Sequence, residues 1–562
     1  MRNLAGQPKS PTMPIQRANV FTSRSCEPRN DRFPRRKSAG KSLGLLIGLF
    51  VVCVVTANAQ TYQELVDFVG ANGCCPQYPT MMAQGRDGNL YGTTPTGGVN
   101  NVGIVFKITP AGSQTILHQF DTTHGSTPNG GLVLGADGNL YGTTKLGGTN
   151  SYGTIFKITP SGVLTVIYDF TGNADGGYPV APLVLATDGN FYGTSYPGVA
   201  FKYSPQGVFT IINKIPTVSY GPLLQASDGN FYGVTEFAGT FSAGTIYKIA
   251  GSTVTTLYNF DGTHGSYPIG GLVQGADGNL YGTTTAGGTT NAGVIYKITT
   301  AGTLTVLVDF DNVHTLNGYQ AFAGLVAGSD GNLYGATIWG GTSGYGEIFQ
   351  MTTGGAYTAL YNFVAASGDG AYSTPMQHTS GKLFGLTTRG GVDGKGGIYS
   401  YDSGIGPFVS LVSTLGPVGA TVGILGSGFT GATQVQFNGT PASFRVLSDT
   451  YLTATVPSGQ TGFVTVTTAS GRLLSSKTYR VTPQIKTMAP TSGPVGTTVV
   501  LTGFGLIQAS TITVGGVRVN AFTVSSDQTV TFTVPTGAKT GKVVLTTPGG
   551  KATSSSAFTV TP

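Results

Sequence analysis

The stretch GLVLGADGNLYGTT (Gly131–Thr144) decides the fold, because it returns along the chain with small changes. Its core, Asp-Gly-Asn-Leu/Phe-Tyr-Gly, begins at Asp87, Asp137, Asp188, Asp228, Asp277 and Asp330, and a degenerate seventh copy, SGKLFG, begins at Ser380. The steps are 50, 51, 40, 49, 53 and 50 residues. A period near 50 marks a stacked or circular array of supersecondary units.

Each unit holds four strand-like pieces. In the second they are GLVLGA, NLYGTT, GTIFKITP and VLTVIYDF, here called A, B, C and D. Asp-Gly between A and B is a strong short hairpin signal, and Pro-Ser-Gly joins C to D by another tight turn. Four strands at this period predict a propeller blade. The DGN element therefore reads as turn chemistry, since Asp, Asn and Gly tolerate left-handed backbone. Calcium would need several converging oxygen ligands, and each turn offers one Asp.

The ends of the array test this reading. The last unit has A, B and C (STPMQH, KLFGLTT, GGIYSYD) but no D. TYQELVDF (Thr61–Phe68) matches strand D and has no A, B or C before it. The sequence thus predicts seven blades closed into a ring by an N-terminal strand, which also removes exposed sheet edges. A solenoid would need polar caps instead.

The array resembles the GloVer tandem repeat of exported bacterial proteins. The resemblance rests on the GLV-x-G-x-DGN-L-Y-GTT core, the Gly doublets (Gly147 and Gly148, Gly287 and Gly288, Gly340 and Gly341) and G-x-I-F/Y-K-I-T, from about Thr61 to Tyr401. It implies a secreted or surface protein and no established activity. Kelch repeats share the period, but a single Trp (Trp339) makes that match weaker.

Past Tyr401 the period changes. GPVGATVGILGSGF (Gly416–Phe429) returns as GPVGTTVVLTGFGL (Gly493–Leu506), and Phe444–Thr468 returns as Phe522–Thr547. Alternating apolar strands with close turns predict two small sandwiches. They resemble IPT/TIG domains, which are immunoglobulin-like, through P-x-SGP-x-G-x-x-V-x-L-x-G-x-G in the second copy and a VP…G…V-x-V strand pair in both. The first copy lacks the Pro and Ser. The expected organisation is a signal peptide at 1–59, the propeller at 60–403, and sandwiches at 404–482 and 483–562.

The net charge of +7 is misleading. Residues 1–59 hold ten Lys/Arg and two acids, so the other 20 bases and 21 acids nearly cancel. That balance gives no reason to expect a nucleic-acid partner. RFPRRKSAGKS, the apolar run Leu43–Ala57 and ANA before Gln60 read as an export signal, with Met1 or Met13 as the start. The expected location is outside the cytoplasm, with no membrane span in the mature chain. Cys74 and Cys75 remain after cleavage, and the sequence leaves open whether they pair.

Catalysis by a paired acid and base needs two carboxylates in unlike environments. The mature chain has three Glu: Glu64, Glu236 and Glu347. No Gly-x-Ser-x-Gly elbow, His-Glu-x-x-His or phosphate loop is present, and no cofactor or metal is expected. THGS at His124 and His264 reads as solvated loop. The strand-C lysines (Lys107, Lys157, Lys202, Lys248, Lys297) read as stems laid across a neighbouring blade, with a cation ring for an anionic polymer as the alternative. The B–C and D–A loops share one face of a meander, and there residues differ between blades: Lys145, Leu146, Tyr196, Glu236, Phe237, Trp339 and Arg389. Aromatics there are suited to stacking on sugar rings, with Glu and Arg on hydroxyls. The shortened third unit predicts a notch in that rim. The expectation is a non-catalytic surface or extracellular binding protein for polysaccharide or a protein partner. The alternative is a glycan-active hydrolase or lyase using Glu236 and Arg389.

Overall fold

The computed structural model describes residues 60–77, 81–312 and 318–562. The leader read as an export signal lies outside these residues. The described chain is all-β, with two short 3₁₀ turns, and no helix in it is long and apolar enough to cross a membrane.

Seven four-stranded antiparallel sheets follow the repeat. Blade 2 shows the pattern: Val133–Leu134, Leu140–Thr144, Thr154–Ile158 and Leu164–Asp169 are strands A to D, each paired with the next. The last blade takes A, B and C from Met376–Gln377, Leu383–Thr387 and Gly397–Asp402. Its fourth strand is Thr61–Asp67, in register Thr61 to Asp402 through Asp67 to Gly397. The N-terminal strand therefore occupies the place expected of it.

Closure is visible in the packing. Seven buried clusters each join two successive blades. The one that completes the circle sets Phe68, Phe384, Leu386 and Ile398 of blade 7 against Leu90, Ile104 and Phe106 of blade 1. Tyr62 lies between Tyr361 and Tyr399, stacked on the former at 4.0 Å. Both termini of the propeller are thus held by apolar contact as well as by the strand ladder.

The turn motif is one hydrogen-bonded unit. In blade 4 the Asp228 carboxylate accepts from the Asn230 amide at 3.0 Å, its side-chain amide at 2.8 Å and the Tyr232 hydroxyl at 2.7 Å. The same three bonds recur at Asp87, Asp137, Asp188, Asp277 and Asp330. This is an Asx turn with a tyrosine brace, and it explains why Asp and Tyr recur four residues apart. Blade 7 loses both together: Ser380 stands for Asp and Phe384 for Tyr. Removing donor and acceptor as a pair avoids a stranded polar group.

The strand-C lysine belongs to this unit. Lys248 pairs across the ladder with Tyr232, lies 5.5 Å from its ring centroid, and sits 3.5 Å from Asp228. Its stem thus lies within its own blade rather than across a neighbour, because the turn carboxylate is the nearest acid. Where Gln350 replaces Lys, its side-chain amide donates to Tyr334 at 2.9 Å.

The repeated Tyr-Gly glycine has a separate cause. A Cβ on Gly142 would lie 2.6 Å from the Phe156 ring, and the aromatic of strand C covers the corresponding glycine in every blade. Gly142→Ala is expected to destabilise by about 1–3 kcal/mol through overpacking, read by chemical denaturation. An unchanged midpoint would show that Phe156 moves aside at no cost.

The seam strand carries an extra acid. Asp67 accepts from the Val392 amide, as Asp169 does from Thr149 at the matching site, and so closes the B–C loop. Glu64 stands three residues earlier, where the other blades have Ile116, Val166, Ile211, Thr256, Val306 and Ala359, none of them charged. Burial, a hydrogen bond to Asp67 and the charge of Asp67 raise its carboxyl to about 7. The folded state therefore holds this proton more tightly than the unfolded chain. Stability falls as pH rises from about 4.5 through 7 and is level above that. Melting temperature is expected to drop between pH 5 and pH 8, and Glu64→Gln to flatten that drop. Parallel curves for both proteins would remove Glu64 as its source.

Behind the propeller stand two sandwiches, each a four-stranded sheet on a five-stranded one, around cores that include Phe437 with Tyr479 and Val499 with Phe532. The first sits on the Asp-Gly turn face of the propeller. The Thr450 hydroxyl donates to Arg86 O at 2.7 Å, and the Arg86 guanidinium lies over the Tyr451 ring at 4.6 Å. The Phe408 amide donates to Thr379 O at 3.0 Å, and Arg480 donates to Ser227 O at 2.6 Å. These contacts reach the turns of blades 1, 7 and 4, so the sandwich spans the turn face.

Candidate functional site

With the turn face carrying a sandwich, the long-loop face is where chemistry differs between blades. The D–A loops there share a backbone device. Cys75, Thr127, Tyr178, Tyr267 and Gln320 all have φ between 54° and 56° except Tyr178, at 51°. Left-handed backbone is costly for such residues. Each amide is held by the preceding blade, as in Tyr178 N to Tyr152 O at 2.7 Å and Tyr267 N to Ala243 O at 2.8 Å. The device recurs in five of the seven D–A loops, with Gly370 at φ 65° in the loop that enters blade 7.

The seven residues that differ between blades after strand B fall into separate groups; Leu146 is exposed, and its backbone exchanges hydrogen bonds with Ser126. The Lys145 amide donates to Thr127 O on blade 2. Tyr196 is 52% exposed on blade 3, at the end of a ring series through Tyr178 (6.4 Å) to Tyr152 (5.4 Å). Its B–C connection is only Tyr196-Pro197-Gly198. Phe237, 51% exposed, lies 5.5 Å from Tyr267 at the blade 4 to 5 boundary. Burial raises the Glu236 carboxyl beside it, and no neighbouring acid adds to that shift. The other two meet: the Arg389 guanidinium lies 4.5 Å from the centroid of Trp339.

Arg389, with Trp339 against its guanidinium, lines a cleft of about 430 Å³ together with Cys75, Gln77, Phe322, Tyr372 and Thr388. Phe322 and Tyr372 make an edge-to-face pair at 4.8 Å. Arg389 Nε is 3.7 Å from Asp369 Oδ2, and their backbones exchange hydrogen bonds at 2.7 and 3.0 Å. Burial pushes the Asp369 carboxyl up while the Arg389 charge opposes it. Arg389 Nη2 and Asp369 Oδ1 are buried without a hydrogen-bond partner among the described residues. The cleft thus sets the aromatic rings of Phe322 and Tyr372 beside the half-exposed Arg389, whose acid partner Asp369 lies behind its lining.

Phe322, Tyr372, Gln77 and Asp369 escaped the sequence reading. They lie in D–A loops, and the residues compared from blade to blade were those after strand B. Aligning Asn129, Val180, Ile269, Phe322 and Tyr372, which share a loop register, was the signal that would have found two of them.

The other carboxylates lie elsewhere. Glu347 is fully buried and accepts from the Tyr357 hydroxyl, and Glu64 is on the outer strand of blade 7. The two THGS loops lock His124 to Asp121 (2.8 Å) and His264 to Asp261 (2.9 Å) on separate blades. Among the described residues no group of three or more His, Cys, Asp or Glu is placed to hold a metal.

No curated protein matches this chain. Among solved structures, a surface glycan-binding protein from Prevotella bryantii is 21% identical with a TM-score of 0.21, over 26% of this chain and 38% of that one. The chain therefore spans well under half the length of that protein. A fungal alcohol oxidase in complex with copper is 14% identical with a TM-score of 0.44, over 75% of this chain and 100% of that one. A gluconolactonase from Xanthomonas campestris is 12% identical with a TM-score of 0.34, over 62% and 90%. The IPT/TIG domain matches residues 407–481 and 483–561. The Gloeobacter/Verrucomicrobia repeat matches residues 51–205 and 218–440, more than half of the sequence, and the chain belongs to that family.

Proposed function

We propose that this is an exported, non-catalytic binding protein of the cell surface or extracellular space that takes polysaccharide on the long-loop face of its propeller. The observation that carries the reading is the cleft beside Trp339, where Phe322, Tyr372 and Arg389 converge. Sugar rings are amphipathic: their faces carry C–H groups that suit aromatic walls, and their hydroxyls suit a guanidinium and a carboxylate. Most pockets that fix a small ligand combine apolar lining with a few such polar groups. The short rim connection at Tyr196 offers a long chain a low point beside exposed aromatic rings.

The mature protein on a glycan array, run beside a reducing-sugar release assay, tests this. Binding without release is the expected outcome. Release that disappears in Glu236→Gln would establish a hydrolase or lyase instead, with the desolvated Glu236 as its acid. Absence of any glycan signal would turn the assignment to a protein partner.

A further inference from the structure

Cys74 and Cys75 are joined by a disulfide, and Cys75 lines the cleft. The segment is strapped on both sides. The Cys75 amide donates to Lys395 O of blade 7 at 3.0 Å, and the Thr388 hydroxyl donates to Pro76 O. The Thr96 hydroxyl of blade 1 donates to Cys74 O at 3.2 Å. Cys75 holds its left-handed conformation, φ 56°, within these straps. The disulfide is thus fixed at the junction where the ring closes. Phe322, Tyr372 and Arg389 line the same cleft as Cys75, and Arg389 is paired with Asp369.

Two cysteines joined in adjacent positions present sulfur and methylene rather than thiol S–H groups, a polarizable and apolar surface. Charges around the cleft come in pairs: Arg389 with Asp369, and Lys395 with Asp393 at 3.4 Å. Such a site has no net attraction for an acidic sugar. It suits a neutral ring whose faces are both C–H and whose hydroxyls lie at the edge, that is, an all-equatorial β-linked hexopyranose.

Resting on the reading of this cleft as a glycan site, we infer that the Cys74–Cys75 disulfide is one wall of a subsite for a neutral β-linked hexopyranose unit. Binding there then depends on the oxidised pair. A dithiol such as dithiothreitol transfers two hydrogens to the bond, which opens to two thiols as the reagent closes to its own cyclic disulfide. The wall then presents two thiols in place of the joined sulfurs, while the hydrogen bonds to Lys395, Thr388 and Thr96 stay in place.

The chain has a single tryptophan, Trp339, so its emission reports the position of Arg389, which lines the cleft. Cellotetraose, with trigalacturonate as the acidic arm, is titrated into the mature protein before and after dithiothreitol, and into a Cys74→Ser/Cys75→Ser variant. Emission is expected to respond to cellotetraose with an affinity at least tenfold weaker after reduction and in the variant, and to respond less to trigalacturonate. Phe322→Ala and Tyr372→Ala, which leave the disulfide intact, are expected to weaken it similarly and guard against a misfolded cysteine variant. Equal affinity in oxidised and reduced protein overturns the disulfide wall and leaves the glycan function standing. Preference for trigalacturonate overturns the neutral-sugar assignment. A glycan array without signal removes the function itself, and this inference with it.

Discussion

Removing residues 60–68 is expected to abolish cooperative folding of the propeller. The strand lost pairs along Gly397–Asp402 and is the outer strand of blade 7. Two blade interfaces lose contacts at once, because Phe68 packs between blades 7 and 1 while Tyr62 packs between blades 6 and 7. The exposed strand would also present an unpaired edge, a template for aggregation. A graded test uses Phe68→Ala, fully buried against Phe106. It is expected to cost about 3–5 kcal/mol by chemical denaturation. Adding a peptide of residues 60–70 to the truncated protein should recover part of the loss. A truncated protein that melts like the intact one would mean that the ring holds without its seam.

The second large effect concerns ligand binding. Arg389→Ala is expected to weaken glycan binding at least about tenfold, or 1.4 kcal/mol, in a protein that still melts cooperatively. Its side chain is 42% exposed, so little packing is lost, but it lines the cleft and covers the face of Trp339. Tyr196→Ala and Phe237→Ala, on blades 3 and 4, are expected to stay within roughly threefold, since hot-spot residues cluster where the ligand is enclosed. The reverse order would move the site to the rim between blades 3 and 5.

Much of the architecture was legible because its causes are local. Asp228, Asn230 and Tyr232 satisfy one another within five residues, so the motif advertises its own turn. Strand D at Thr61–Phe68 was legible by arithmetic, as the piece missing from the far end. Lys248 departs from the expected stem across a neighbouring blade because its partner is the turn Asp of its own blade, a contact made through the ladder rather than along the chain. The cleft was half legible: Trp339 and Arg389 stood out after strand B, while Phe322 and Tyr372 sit in D–A loops whose shared register shows only when those loops are aligned.

The sequence by itself determined the repeat, the turn, the missing strand and the two sandwiches, because each rests on hydrogen bonds and alternation that recur in every copy. Only the tertiary structure decided which face is covered and which side chains meet. Closing the ring brings Cys75 beside Arg389, and docking the first sandwich sets Arg480 against Ser227. Those contacts are set by how blades and sandwich pack, and packing between distant segments leaves no periodic mark in the chain.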